Sequence, residues 1–231
     1  NIQVIARMHS DFATKFGIPR QSGLVEELRS TIVFEPEFRV AEGLRGIESY
    51  SHLWLIWEFH QAHRGSVENG DEVPWRPTVR PPRLGGNTRV GVFATRSPFR
   101  PNPIGLSSVR LLRTEQTEDG VCLVVTGADL MDGTPIYDIK PYIPFSDSHP
   151  DAVGGFADQH FDKALAVTFP TELLELIPEE RRGALLEILR QDPRPSYHND
   201  PERIYGFSFA GFEIRFQVEN EHLVVISIEQ I

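Results

Sequence analysis

Val90-Gly91-Val92-Phe93-Ala94-Thr95-Arg96-Ser97-Pro98-Phe99-Arg100-Pro101-Asn102-Pro103-Ile104-Gly105 reads as strand, stiff connection, strand. Val90 to Ala94 is a short apolar run that predicts a buried strand delivering Thr95, Arg96 and Ser97 to its end. Three prolines between Ser97 and Pro103 stiffen the turn. Ile104 to Leu112 is the next strand. Outward from this stretch the pattern repeats. Ile2 to Arg7 alternates apolar and polar residues, as a half-buried strand does. Thr31 to Phe34 is a short strand, Val40 to Ile47 a short helix after Pro36, and His52 to Phe59 a strand buried on both faces. Val121 to Thr126 follows. Many short strands with Gly/Pro turns predict a β-barrel or sandwich over the first 145 residues. No G-x-G-x-x-G follows a strand and no βαβ alternation is present, which argues against a Rossmann fold.

Ser146 to Asp162 is polar and Gly/Asp-rich, a linker. After it Ala164 to Phe169 reads as a strand, Thr171 caps a helical turn, and Pro178 opens a helix over Glu179 to Arg190. Ile204–Phe209, Phe212–Val218 and Leu223–Ile228 form an antiparallel meander. The fold class is mainly β with α+β, an N-terminal barrel over 1–145 and a small α+β domain over 146–231.

Charge is unevenly placed. Val73 to Thr114 holds eight arginines and no Asp, Glu or Lys, so that window carries +8 and the rest −18 of the net −10. A guanidinium kept in a fold asks for an anion, and its planar fork suits carboxylate or phosphate. The window is therefore a rigid anion-holding surface or a counterweight to the acidic remainder. Cys122, the single cysteine, excludes an intrachain disulfide and reads as a small core residue. No apolar run reaches membrane-span length, and no signal peptide is visible, although Asn1 implies that the first residue or residues are missing. The expected location is cytoplasmic. His60 and His63 lack a further Cys/His cluster, so no metal is expected.

Other constellations leave two readings each. Asp129, Asp132 and Asp138 fall within ten residues. Asp132 before Gly133 is a capped turn, or a carboxylate for an ammonium or a ribose hydroxyl. Asp138, Lys140 and Tyr142 alternate, so on a strand they share one face, as a satisfied polar patch or a catalytic one. Arg194 and Tyr197 lie on the stiff loop from Gln191 to Tyr197, packed on its own domain or gripping phosphate and base.

The string from Arg76 to Leu106 resembles the TrmO family of bacterial tRNA methyltransferases. Pro19-Arg20-Gln21, Arg45-Gly46, Ser51-His52-Leu53-Trp54, His60-Gln61, Asp132-Gly133-Thr134-Pro135, Asp138-Ile139-Lys140-Pro141-Tyr142 and Gln191-Asp192-Pro193-Arg194-Pro195 are similar to family motifs, in family order. The resemblance implies a β-barrel binding S-adenosylmethionine, a tRNA substrate, a homodimer, and methylation of the exocyclic nitrogen of threonylcarbamoyl-adenosine next to the anticodon. It implies a cofactor pocket of Pro19, Arg20, Gln21, His60, Gln61, Arg96, Leu106, Asp129, Leu130, Met131, Asp132 and Gly133. Proton removal is expected from Asp138 with Tyr142 or Lys140, and substrate contacts from Arg100, Arg194 and Tyr197. On this division residues 1–145 bind cofactor by themselves, and 146–231 serve tRNA. Rival readings are a non-catalytic RNA-binding barrel and a same-family enzyme with another acceptor.

Overall fold

The computed structural model describes residues 2–62, 75–81, 84, 87–118, 120–159, 164–194 and 200–231. The strands of the first part are β1 (Ala6–His9), β2 (Arg29–Phe34), β3 (His52–Glu58), β4 (Thr78–Val79), β5 (Val90–Gly91), β6 (Ile104–Thr117), β7 (Gly120–Thr126) and β8 (Pro135–Pro141). Six of them pair in the order β1–β2–β7–β6–β3–β8 into a closed barrel. Closure is made by β8 returning to β1, with Ala6 opposite Ile136 and Arg7 opposite Pro135. A closed sheet leaves no ladder edge open.

The period-2 alternation places one face inside. On β3, Leu53, Leu55 and Trp57 are buried in the barrel while Trp54 and Ile56 are half-buried on the outside. The strand is thus not buried on both faces. Its apolar outward residues lie against β6 and β8 neighbours, and among the described residues no second sheet covers them. Burying each inward side chain contributes about 1.5–3 kcal/mol.

Two other expectations change. Only Val90 and Gly91 of the Val90–Ala94 run find ladder partners, in Val79 and Thr78. The chain then tightens into a 3₁₀ turn over Val92–Ala94, with Val92 buried and Phe93 outside. The Thr95 hydroxyl, donating to the Val92 carbonyl at 2.8 Å, ends the run. Val40 to Ile47 is no single helix: 3₁₀ turns at Ala41–Leu44 and Ile47–Ser49 are separated by Gly46, whose φ of 89° breaks the helical path.

The second part contains α1 (Pro144–Asp147), α2 (Phe156–Gln159), β9 (Ala166–Thr168), α3 (Thr171–Leu174), α4 (Glu179–Arg190), β10 (Tyr205–Phe209), β11 (Phe212–Glu219) and β12 (His222–Gln230). The segment read as a linker therefore carries two short helical turns. β10, β11 and β12 form the meander, and β9 adds to β12 in parallel. Helix α4 buries Ala184, Leu185, Ile188 and Leu189, one stripe of the 3.6 period.

The packing crosses the boundary at residue 145. The β1–β2 loop sends Phe12, Val25 and Leu28 into the core of the second sheet and α4. The Phe12 ring lies 5.5 Å from that of Phe209, Ala210 N–H donates to the Asp11 carbonyl, and Arg181 pairs with Asp11 at 3.2 Å. Gly17 is required there twice over: its φ is +82°, and a Cβ would sit 2.3 Å from the Phe207 ring.

Candidate active site at one end of the barrel

Antiparallel pairing gathers three loops at one barrel end. His9 ends β1 and Arg29 begins β2, Glu58 ends β3 and Ile104 begins β6, Thr126 ends β7 and Pro135 begins β8. The register sets Glu58 opposite Ile104 and Arg29 opposite Thr126, so the ends within each pair are level, while β6 extends past Arg110, which faces Thr126, to Ile104. The three loops carry Pro19-Arg20-Gln21, then His60-Gln61 with Arg96 and Arg100, then Asp129 to Gly133. Sequence-distant residues meet here because the strands deliver them to the same rim.

The best-defined part is a chain of polar contacts leading out of the barrel. Trp57 Nε1–H donates to Ser107 Oγ at 3.0 Å, and the Ser107 hydroxyl donates to Asp129 Oδ1 at 2.6 Å. Burial pushes the Asp129 carboxyl above its ordinary 3.8, while the Ser107 hydrogen bond and, more weakly, the Arg96 charge pull it down. Arg96 Nη1 donates to Gln21 Oε1. Gln21, Arg96, Ser107 and Asp129 thus connect all three loops. Ser107 and Trp57 were not anticipated. The signal was present in β6, where Ser107 is the polar residue among inward-facing Gly105, Val109 and Leu111.

The remaining expected residues divide. Leu130 and Met131 are buried, and Asp132 accepts Ser10 N–H at 3.1 Å and lies 3.5 Å from His9 Nδ1. Its carboxylate thus ties the loop to the end of β1. Gly133, at φ +75°, completes the turn. His60 and Gln61 are exposed just past β3. Pro19 is buried, and Arg20 reaches the Asp192 carbonyl at 3.5 Å, so this pair faces the second part of the chain while Gln21 faces Arg96.

Leu106, Asp138, Lys140 and Tyr142 lie on the outer face of β6–β3–β8. Leu106, Ile56 and Asp138 form one row across the three strands, and Ser108, Trp54 and Lys140 the next. Asp138 and Lys140 pair at 2.7 Å, and Ile139 N–H holds the Asp138 carboxylate at 2.9 Å. The Tyr142 ring lies 5.5 Å from that of Trp54. Above this row the Tyr137 hydroxyl donates to Glu58.

Two arginines expected at the substrate are occupied internally. Arg100 donates to the Thr95 carbonyl at 2.8 Å and approaches those of Val92 and Ser97, fastening the loop that carries Arg96. Arg194 makes a two-pronged pair with Asp192 at 2.7 and 2.8 Å, its side chain only 14% exposed. An arginine held this way positions its loop, and contact with phosphate requires the pair to open. Tyr197 lies outside the described residues. Among the described residues no group of three His, Cys, Asp or Glu side chains is arranged to hold a metal, and no helix is long and apolar enough to cross a membrane.

Comparison with known proteins points the same way as the loops. A family model described as the tRNA-methyltransferase O N-terminal domain matches residues 7–148, and one described as the TrmO C-terminal domain matches 162–231. The Escherichia coli K12 protein named tRNA (adenine(37)-N6)-methyltransferase is 42% identical over 97% of this chain and 96% of its own length. A Pseudomonas aeruginosa protein carrying an S-adenosylmethionine-dependent methyltransferase name, RcsF, is 40% identical over 97% of this chain and 95% of its own. The crystal structure of TrmO from Pseudomonas aeruginosa superposes with a TM-score of 0.75 at 33% identity, covering 99% of this chain and 98% of that one.

Proposed function

We propose, from the premise that this chain belongs to the TrmO family of S-adenosylmethionine-dependent tRNA methyltransferases, that its acceptor is the exocyclic nitrogen of a threonylcarbamoyl-adenosine beside the anticodon. The observation that carries this reading is the meeting of a mostly buried carboxylate, hydrogen-bonded by Ser107, with an arginine and an amide on three loops at one barrel end.

These residues fit the cofactor's chemistry. S-adenosylmethionine presents an ammonium, a carboxylate, ribose hydroxyls and an adenine. Asp129 and Asp132 offer acceptors for the first and third, Arg96 a partner for the second, and Leu106 apolar surface, while Leu130 and Met131 are buried and support the loop from beneath. Gln21, His60, Gln61 and Gly133 frame the pocket, and Pro19 and Arg20 anchor its first loop against the second part of the chain. When bound, the cofactor supplies a methyl group on a positively charged sulfur that needs no further activation. The protein's own task is to align acceptor and donor and to exclude water.

The exocyclic nitrogen is amide-like and must lose its proton as it gains the methyl, which requires a base within hydrogen-bond reach. Asp138 takes that role. Lys140 and the Ile139 N–H fix its carboxylate, which at 43% exposure remains open to a substrate. Tyr142 lies beyond Lys140 on the same face, against Trp54, and Asp129 at the barrel end is the second candidate carboxylate. The threonine carboxylate of the modification gives the arginine window an anion that plain adenosine lacks.

A homodimer accompanies this reading. The row bearing Asp138 also exposes Leu106, 56% accessible, and on the same strand Ile104, apolar surface suited to a second copy that would close the pocket. Residues 146–231 contribute to tRNA binding, with Arg194 and Tyr197 on the loop concerned. The test offers the protein two tRNA pools, one from cells making the modification and one transcribed without it, and follows methyl transfer by mass spectrometry of nucleosides. Methylation confined to the first pool is expected; equal methylation of both overturns the acceptor assignment. Calorimetric binding of S-adenosylmethionine separates the enzyme from a plain RNA-binding barrel.

A further inference from the structure

The arginine window also carries three exposed aromatic rings, and the mechanism uses none of them. Trp75 is 50% exposed, Phe93 71% and Phe99 63%. Each of these rings stays at least half exposed after folding. Large apolar side chains held in water this way mark a binding surface.

The rings are held on a stiff frame. β4 and β5 pair Thr78–Val79 with Val90–Gly91, and Val92 N–H donates to the Pro77 carbonyl at 2.9 Å. That bond draws Trp75 and Phe93 together, ring centroids 5.8 Å apart. Arg100 lies 5.9 Å over the Phe93 ring while its guanidinium fastens the Thr95 carbonyl. Ser97 Oγ accepts Phe99 N–H at 3.2 Å and fixes the last ring. Little order is left to be imposed on binding, which favours affinity.

We propose that Trp75, Phe93 and Phe99 form a stacking platform for unpaired bases of the RNA loop that presents the acceptor. This rests on the assignment of tRNA as substrate. Aromatic faces stack on any base, and the exposed Arg76, Arg80 and Arg89 around them supply charge for the phosphates. No carboxylate lies between Val73 and Thr114 to cancel that charge. A second copy of this chain docking the same patch on itself would set arginine against arginine, which like-charge repulsion opposes. The platform also leads to the site. Phe93 and Phe99 each stand three residues from Arg96, which joins Gln21 at the barrel end. Bases stacked on the rings hold the loop while a neighbouring nucleotide enters.

The experiment measures binding of an RNA stem-loop and of a fully paired RNA of equal length to the intact protein and to Trp75→Ala and Phe99→Ala, with Phe99→Trp as the conservative variant. Each alanine variant is expected to weaken stem-loop binding roughly 5- to 100-fold, the loss of one stacked base. Phe99→Trp retains it, and the paired RNA binds the intact protein more weakly than the stem-loop. Calorimetric affinity for S-adenosylmethionine and the melting midpoint stay at wild-type values, which distinguishes loss of the platform from misfolding. Unchanged stem-loop affinity in both alanine variants overturns the proposal, as does equal binding of the paired RNA. A change of oligomeric state in the variants also overturns it, assigning the face to a protein partner. If the intact protein binds the stem-loop by these rings yet transfers no methyl group, the substrate reading fails while the platform stands.

Discussion

Gly105→Ala tests the polar chain at the barrel end with one methyl group. Gly105 faces Trp57 across the β3–β6 ladder. A Cβ there would lie 2.3 Å from Trp57 Cε2 and 2.4 Å from Cζ2, against a carbon–carbon contact distance of about 3.5–4.0 Å. The indole must therefore move by about 1.5 Å in a closely packed interior, where Trp57 is almost wholly buried. Overpacking of this kind costs about 1–3 kcal/mol. The same displacement pulls Nε1 out of reach of Ser107 Oγ, now 3.0 Å away, and an unsatisfied buried donor costs about 1–3 kcal/mol more. A loss of about 3 kcal/mol in all corresponds to a fall in Tm of about 6–12 °C for a chain of this size. Ser107 also positions Asp129, so S-adenosylmethionine affinity should fall at least about tenfold. Differential scanning calorimetry and isothermal titration give the two numbers. The double variant Gly105→Ala/Trp57→Phe has room for the methyl but no indole N–H. It should recover much of the stability and little of the affinity. A single variant within about 0.5 kcal/mol of wild type, with normal cofactor affinity, would refute the reasoning.

Further outcomes follow from the same contacts. Asp129 holds its proton more tightly folded than unfolded, so the folded state carries more protons between pH 3.8 and its raised value, and stability falls as pH rises through that window. Asp129→Asn removes this penalty: at neutral pH the variant should be at least as stable as wild type yet bind cofactor weakly, and a less stable Asn variant would contradict the burial account. Arg96→Ala should weaken cofactor binding or turnover by more than about tenfold, because a buried carboxylate loses its facing charge; unchanged kinetics would remove Arg96 from the site. A chain ending at Phe145 exposes Phe12, Val25 and Leu28, so it should lose cooperative unfolding and cofactor binding together; a sharp melt with intact binding would show that the loop stands without the second sheet. Arg194→Ala leaves the Asp192 carboxylate, in a mostly buried place, with the residue 194 N–H but no guanidinium and should lower stability by about 1–3 kcal/mol, read by urea titration, whereas a tRNA defect with unchanged stability would return Arg194 to the substrate.

Much of the architecture is local and was therefore readable. The alternation in β1, β3 and the meander β10–β12, the prolines punctuating the window, and Pro178 before α4 each act within a few residues. The errors also have local causes. Leu-Trp-Leu-Ile-Trp is apolar throughout, so its outward residues were indistinguishable from core until β6 and β8 were placed. Val90 to Ala94 has strand composition, but only two of its residues find a partner strand.

The sequence by itself determined a β-rich chain with a helix and meander at its end, an arginine window held by prolines, and the residues that resemble the TrmO family. The tertiary structure alone decided that β8 closes on β1, that the Gln21–Arg96 pair meets Asp129, which Ser107 holds, and that the Pro19-Arg20-Gln21 loop is anchored in the second core. It also decided that Arg100 and Arg194 bind their own loops while Trp75, Phe93 and Phe99 stand in solvent. The physical reason is that alternation and turn chemistry fix which way a side chain points along its own strand. Register, closure and the partner a guanidinium finds depend on residues a hundred positions away, and those distances are set only when the sheet closes.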